Sequence, residues 1–406
     1  MTEGEFNPTS RAPQENSVND VNDVNDVNDV THRYSPLHDI HVAAGASFTD
    51  FAGWQMPVRY SSDLAEHHAV RTAAGIFDIS HMAEIRVTGS DAPAFLDFAL
   101  AGKLSAIANG QAKYSLLLAA TGGIIDDLVV YRLADTEFLI VANAGNRFAV
   151  VEALTERAGE FAVTLTDESD DISLIAVQGP LSRSILEATA GLGHAGIRLD
   201  ELKYYWTTSA SFGEVPLLIG RTGYTGEDGF ELYIQADAAA ALWRALAAAG
   251  SPFGLVPCGL ASRDTLRLEA GMPLYGHELG LETMPVQAGL GRVAALSKPG
   301  DFVGRAAIEA GPAPTAHVLV GLRSEGKRAG RAGYEVLHGD ETVGFSTVGE
   351  VTSGALSPTL GYPIAMAYVE PRFAETGTEL QIDVRGSRVA ASVVPVPFYS
   401  RQENHG

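Results

Sequence analysis

Two aspartates in the middle of an apolar ribbon constrain this chain more than any other feature. Residues 110–133 read GQAKYSLLLAATGGIIDDLVVYRL. An apolar run at 114–120, a break at Thr121-Gly122-Gly123 and a second run at 124–133 make the pattern of strand, turn and strand. Asp126 and Asp127 interrupt the second run. Aspartate is depleted in strands, and an unpartnered carboxylate among Ile, Leu and Val is costly to bury. Strand side chains alternate, so the two acids are expected on opposite faces: Asp127 with Ile125, Val129 and Tyr131, and Asp126 with Ile124, Leu128 and Val130. A turn of two or four residues sets Tyr114 opposite Val129, diagonal to both Asp127 and Tyr131, whereas a turn of three breaks that register. In the first case one carboxylate and two phenols converge on one patch, the chain's best candidate for a site. The plain alternative has one aspartate solvated on an exposed face and the other satisfying the turn.

The 406 residues suffice for two or three domains with a proper core. No apolar run reaches the ~20 residues of a membrane span. A formal charge of −22 argues against nucleic acid as partner, because phosphate binding wants a basic face. The single cysteine, Cys258, excludes an internal disulfide, fits a reducing compartment, and reads as a buried inert thiol within VPCGL. Residues 1–33 form an acidic tail around VNDVNDVNDVNDV, expected to be disordered, with no apolar core for secretion and the wrong charge for a transit peptide; the cytoplasm is the default location.

From Ser35 the texture changes. Residues 47–60 (SFTDFAGWQMPVRY) read as an aromatic, glycine-containing loop, and residues 61–74 as a helix closed by Gly75. Glu66, His67 and His68 lie on that helix, where adjacent histidines face different ways and do not make a metal pair. GIFDISHMAEIRVTG reads as one strand-like run. A second series of strands and helices begins near Phe161 and includes the Gly-rich GYTGEDGFELYI and the helix CGLASRDTLRLEAG. After a linker at 311–316, short strands follow one another to the end, the pattern of a small β-barrel or sandwich. The expected fold class is therefore α+β, with residues 34–310 forming two interleaved subdomains, residues 317–401 a C-terminal barrel, and residues 402–406 a short tail.

GLGHAG at 191–196 matches the dinucleotide pattern but follows a helix, and GLRSEGKR at 321–328 lacks the Ser or Thr of a phosphate loop. No spacing suits a metal. Glu231, inside an apolar strand, is the second acid that needs donors; a pterin ring offers an N–H and an amino group side by side, and a strand-end pair with an arginine is the alternative. Glu227 and Asp228 belong to the turn before it and are expected in solvent. Arg263 and Arg267, four apart on a helix, share a face and call for an anion, either Asp264 and Glu269 or a ligand carboxylate. Tyr399 and Arg401 follow apolar VVPVPFY, so the terminus is expected to dock.

FAGWQMPVRY, GIFDISHM, GGIIDDLVVY, VANAGN, VQGP, GYTGEDGFE, ASRDTLRLEAG and VTSGALSPTLGYPIAMAYVE, in this order, resemble the aminomethyltransferase family, the T-proteins of the glycine cleavage system. The resemblance spans roughly residues 35–401. It implies a three-domain cloverleaf, two mixed α/β domains and a C-terminal β-barrel, around a central folate cavity. It also implies transfer of a one-carbon unit from an aminomethyl group on the lipoyl arm of H-protein to tetrahydrofolate, with release of ammonia and no metal. By position, Asp127 matches the family's catalytic acid, Glu231 its pterin-binding carboxylate and Arg263 its folate-contacting arginine. Met82, Tyr114, Tyr131, Asn143, Tyr204, Tyr205, Tyr399 and Arg401 are the further folate contacts carried over or placed beside the acid. Competing expectations are another tetrahydrofolate-dependent demethylase of the same fold, or a folate-binding factor without catalysis.

Overall fold

The computed structural model describes residues 32–194, 196–342 and 344–401; the acidic repeat and the tail at 402–406 lie outside them. Helix and sheet segregate as α+β, and a closed barrel of six strands forms the C-terminal part. The described structure begins at Arg33–Tyr34, which pairs in parallel with Trp54–Arg59; its partner on the other side is Ser47–Phe51. The stretch 47–60 is thus a hairpin rather than a loop. Its turn places Ala52 and Gly53 at φ 54° and 82°, a geometry that glycine adopts freely and alanine does not, so the sequence signal for it is weak.

Ser62 caps the helix Asp63–Thr72, its hydroxyl accepting from the Ala65 N–H at 3.4 Å, and Asp63 and Glu66 favour the positive end of the helix dipole. Gly75 does not close this helix. It lies in the buried strand Ala74–Asp78, where a methyl group would stand 2.6 Å from both Cys258 Sγ and a Val70 methyl. The run GIFDISHMAEIRVTG is likewise two strands. Ala74–Asp78 belongs to a seven-stranded sheet and Ala83–Thr88 to a five-stranded one, and the chain crosses between them at Ile79–Met82.

The five-stranded sheet is antiparallel, in the order Ala112–Leu118, Ile124–Ala134, Glu137–Ala142, Ala83–Thr88, Thr164–Asp167. Tyr114 pairs with Val129, and a register shift at Leu117/Leu118 absorbs the turn. The helices Ala92–Ala99 and Arg147–Ala158 cover one face, packing Phe95, Leu96, Val150 and Leu154 on Ile85, Val130 and Ile140. Fully burying each such side chain contributes about 1.5–3 kcal/mol relative to exposure. The other face presents Tyr131, Leu139 and Val141 to Phe77, Ile79, Leu174 and Tyr233 of the seven-stranded sheet. Two sheets therefore meet face to face, and the crossing residues 79–82 run along the seam. The barrel joins this body through Ile364, Met366 and Ala355 against Leu268 of the helix Leu260–Glu269.

Candidate active site

Where the two sheets diverge, a cavity of about 530 Å³ opens, within the size range of small-ligand sites. Asp127, Tyr114, Asn143, Met82, Tyr205, Glu231 and Arg263 all line it, as do His81, Asn146, Thr222, Tyr224, Tyr233 and Tyr275. Distant segments contribute because the hairpin, the crossing residues and the strand Gly229–Gln235 all end at the seam.

At one end, the Tyr114 hydroxyl donates to Asp127 Oδ2 at 3.0 Å, as the hairpin register requires. Asn143 Nδ2 donates to Asp127 Oδ1 at 2.8 Å and to Asp126 Oδ1 at 2.8 Å. Asp126 is fully buried and also accepts from the Asn143 backbone N–H at 3.0 Å and from Asn146 Nδ2 at 2.6 Å. Neither aspartate is solvated. The alternation argument separates the two acids, but the ladder between Ile124–Ala134 and Glu137–Ala142 stops at Val129–Val141. Asn143 lies just beyond that end and reaches round the strand to both carboxylates. Burial raises both acids; Asp126 is pushed up to about 7 by burial first and the neighbouring Asp127 second.

At the other end stands Glu231. Its Oε2 collects three hydroxyls: Thr222 at 2.6 Å, Tyr131 at 3.3 Å and Tyr233 at 3.4 Å. No protein donor among the described residues reaches Oε1. Burial raises this carboxyl, opposed first by the Thr222 hydrogen bond. Tyr131 is wholly buried behind the cavity wall and serves as one of these donors. Arg263 carries no carboxylate partner among the described residues; its guanidinium lies 4.6 Å from the centre of the Tyr224 ring. Arg267 differs. It is buried and paired with Asp264 at 2.8 Å and Glu278 at 3.0 Å. Only one of the two arginines remains available to a ligand anion.

His81, in the crossing segment, is 2 % exposed, and neither ring nitrogen has a partner among the described residues. Burial, then the charge of Arg263, lowers its pKa to about 3, so the ring is neutral at working pH. Nothing in the sequence separates it from an ordinary core histidine. Tyr205 lines the wall with φ 61°, a strained conformation for a tyrosine, while Tyr204 next to it is 42 % exposed and outside the cavity lining.

Tyr399 and Arg401 are outside the lining too. The terminus docks on the turn before Glu231: Tyr399 donates to Glu227 Oε1 at 2.8 Å, Arg71 covers its ring at 4.1 Å, and Arg401 approaches Asp228 at 3.5 Å. Glu227 is buried against Arg71, and Asp228 takes a bidentate grip from Arg221 at 2.9 and 2.7 Å. The expectation of solvent fails for Glu227, whose partners Arg71 and Tyr399 come from remote parts of the chain, while Asp228 is half-buried and held by Arg221 of the same loop.

The GCVT N-terminal domain matches residues 37–298, and the glycine cleavage T-protein C-terminal barrel domain matches residues 317–400. The chain belongs to the glycine cleavage T-protein family. The aminomethyltransferase of Cutibacterium acnes is 57% identical over 374 residues, covering 91% of this chain and 99% of that protein. That of Streptomyces avermitilis is 53% identical over 376 residues, covering 91% and 98%. The crystal structure of glycine cleavage system aminomethyltransferase T from Bartonella henselae superposes with a TM-score of 0.82 at 36% identity, covering 90% of this chain and 98% of that one. The residues matched by the C-terminal barrel domain are those that form the closed six-stranded barrel, after an N-terminal domain of mixed helices and sheets. Among the described residues no cluster suited to a metal ion occurs, and no helix is long and apolar enough to cross a membrane.

Proposed function

We propose that this T-protein family member acts as the aminomethyltransferase of the glycine cleavage system, in the cytoplasm. It takes the methylene carbon of an aminomethyl group carried on the lipoyl arm of H-protein, transfers it to tetrahydrofolate, and releases ammonia and the reduced lipoyl group. The observation that carries the reading is the cavity with an acid at each end: Asp127 exposed to it under Tyr114 and Asn143, and Glu231 with one oxygen anchored and one open.

The residues fit a reduced folate. Glu231 Oε1 is an acceptor without a donor, which suits the paired N–H groups of a pterin. Arg263 forms no ion pair among the described residues, which suits a carbonyl or carboxylate of the same ligand. Met82 and Tyr205 supply wall area, and Asn143 fixes the hairpin acid. The folate supplies a nucleophilic ring nitrogen. Asp127 then stabilises the positive charge that develops as the carbon moves, in a largely apolar site where fixed charges act more strongly than in water. General-base work at Asp127 is secondary. Tyr131 holds Glu231 in place. Tyr399 and Arg401 act by seating the turn before Glu231, and Tyr204 by contact at the rim.

The test is formation of 5,10-methylenetetrahydrofolate from tetrahydrofolate with aminomethylated H-protein. Asp127→Asn keeps the shape, removes the charge, and is expected to lower kcat by ~10²–10³, the scale for one electrostatic group aimed at a transition state. Near-full turnover in that variant would overturn the assignment. Absence of product with the unaltered protein would point to a folate-binding factor or a demethylase of the same fold.

A further inference from the structure

Asp126 and Asp127 are joined by one amide, that of Asn143, which lies 2.8 Å from an oxygen of each, and among the described residues neither has a countercharge. Asn143 Nδ2 carries two hydrogens and lies within hydrogen-bond distance of three oxygens: Asp126 Oδ1, Asp127 Oδ1 and the Asp127 carbonyl at 3.0 Å. It serves both carboxylates and saturates neither. Asp126 is fully buried, and among the described residues no Lys, Arg or His forms an ion pair with it or with Asp127. The titratable groups facing the pair are phenols: Tyr114 on the same hairpin, Tyr275 from the segment above, and Tyr205 and Tyr224 across the cavity. Two like charges with only neutral donors between them, one shut off from water, cannot both be carried cheaply at neutral pH.

We propose that Asp126 and Asp127 hold one proton between them and titrate as a single unit, Asp126 being the positioning residue that sets the charge its neighbour shows the cavity. This rests on the transferase reading of the site. The arrangement matches the chemistry. As the carbon becomes bonded to two folate nitrogens, its C–N and C–S bonds break and two ring N–H protons are lost, one leaving on the amine and one on the lipoyl sulfur. A pair already holding one proton gives it to the departing amine as an N–H bond and recovers one from the attacking nitrogen as an O–H bond, while the proton of the second nitrogen goes to the sulfur, so the transfer ends with the pair as it began. The pair thus belongs to both protonation states of the reaction. Burial raises both acids, and the charge of Asp127 adds to the rise of Asp126 to about 7, the direction this requires.

The experiment is a carbon-13 carboxyl titration of the ligand-free full chain with labelled aspartate, comparing the unaltered protein with Asp126→Asn and Asp127→Asn. One of the two carboxyls is expected to titrate at least two pH units above the ordinary aspartate range. Removing either partner is expected to bring the remaining acid down by more than one unit. In parallel, the kcat profile of the unaltered enzyme is expected to show a limb near neutrality that Asp126→Asn lacks. Ordinary midpoints for both acids, or a midpoint indifferent to its neighbour, would overturn the pair while leaving the transferase assay untouched. Activity of Asp126→Asn reduced by one factor at every pH would show Asp126 to be only a strut for the Asn143 segment, and would overturn it equally. The titration needs no turnover, so an Asp126→Asn chain that fails to fold leaves the Asp127→Asn comparison standing.

Discussion

Replacing Glu231 with glutamine tests the ligand end of the cavity. Oε2 is fixed by three hydroxyl donors, so the glutamine is expected to turn its carbonyl oxygen to Thr222, Tyr131 and Tyr233. Its amide nitrogen then occupies the place of Oε1 and faces the cavity. An acceptor becomes a donor, opposite a ligand edge that itself donates. The loss is one charge-assisted hydrogen bond plus a donor left unpaired, about 1.5–3 kcal/mol. At ~1.4 kcal/mol per tenfold, this weakens tetrahydrofolate binding by roughly 10- to 150-fold. Calorimetric titration reads the dissociation constant directly, and thermal unfolding of the ligand-free protein serves as the control, since the hydroxyl cluster is kept. A dissociation constant within about threefold of the unaltered protein, at unchanged melting temperature, would refute the argument that the open oxygen is the ligand's partner.

Three further outcomes are expected. Arg263→Met removes the cavity cation that forms no ion pair among the described residues; KM for the folate rises by about tenfold or more while the melting temperature holds or increases, as steady-state kinetics and calorimetry will read. Burial works against the Glu269 carboxylate, but His67 at 3.2 Å, then Ser357 and Arg71, hold its carboxyl down at about 2. A depressed acid contributes stability that is present above its unfolded value, ~4.3, and lost as pH falls towards 2. Glu269→Gln therefore flattens urea stability across pH 4 to 2 and costs about 3 kcal/mol at pH 7, the low end for a broken buried pair because Arg71 keeps Glu227. Gly123→Ala drives a methyl into the Leu281 carbonyl oxygen; a loss of about 3 kcal/mol or more is expected in denaturant titration.

What was legible in the chain was local. Period-two alternation and a glycine turn were enough to place Tyr114 opposite Val129, and the polar outliers Asp127 and Glu231 stood out against apolar strands. Features decided by remote partners were hidden. Glu227 read as wet because Arg71 and Tyr399 come from elsewhere. Asp126 read as facing away because alternation says nothing about where a neighbouring ladder ends. The crossing at 79–82 was concealed within a single strand-like run, and with it the placement of His81. The hairpin at Ser47–Phe51 and Trp54–Arg59 hid behind an alanine in a turn conformation that glycine normally marks.

The glycine turn has a consequence for how molecules reach the acids. Ile124 N–H donates to the carbonyls of Gly280 and Thr283 at 3.1 and 3.2 Å, Tyr275 donates to the Ile124 carbonyl at 3.3 Å, and the backbone of Gly123 leaves no room for even a methyl beneath Leu281. Hairpin and overlying segment are bolted together, so that side of the cavity is a wall rather than a door.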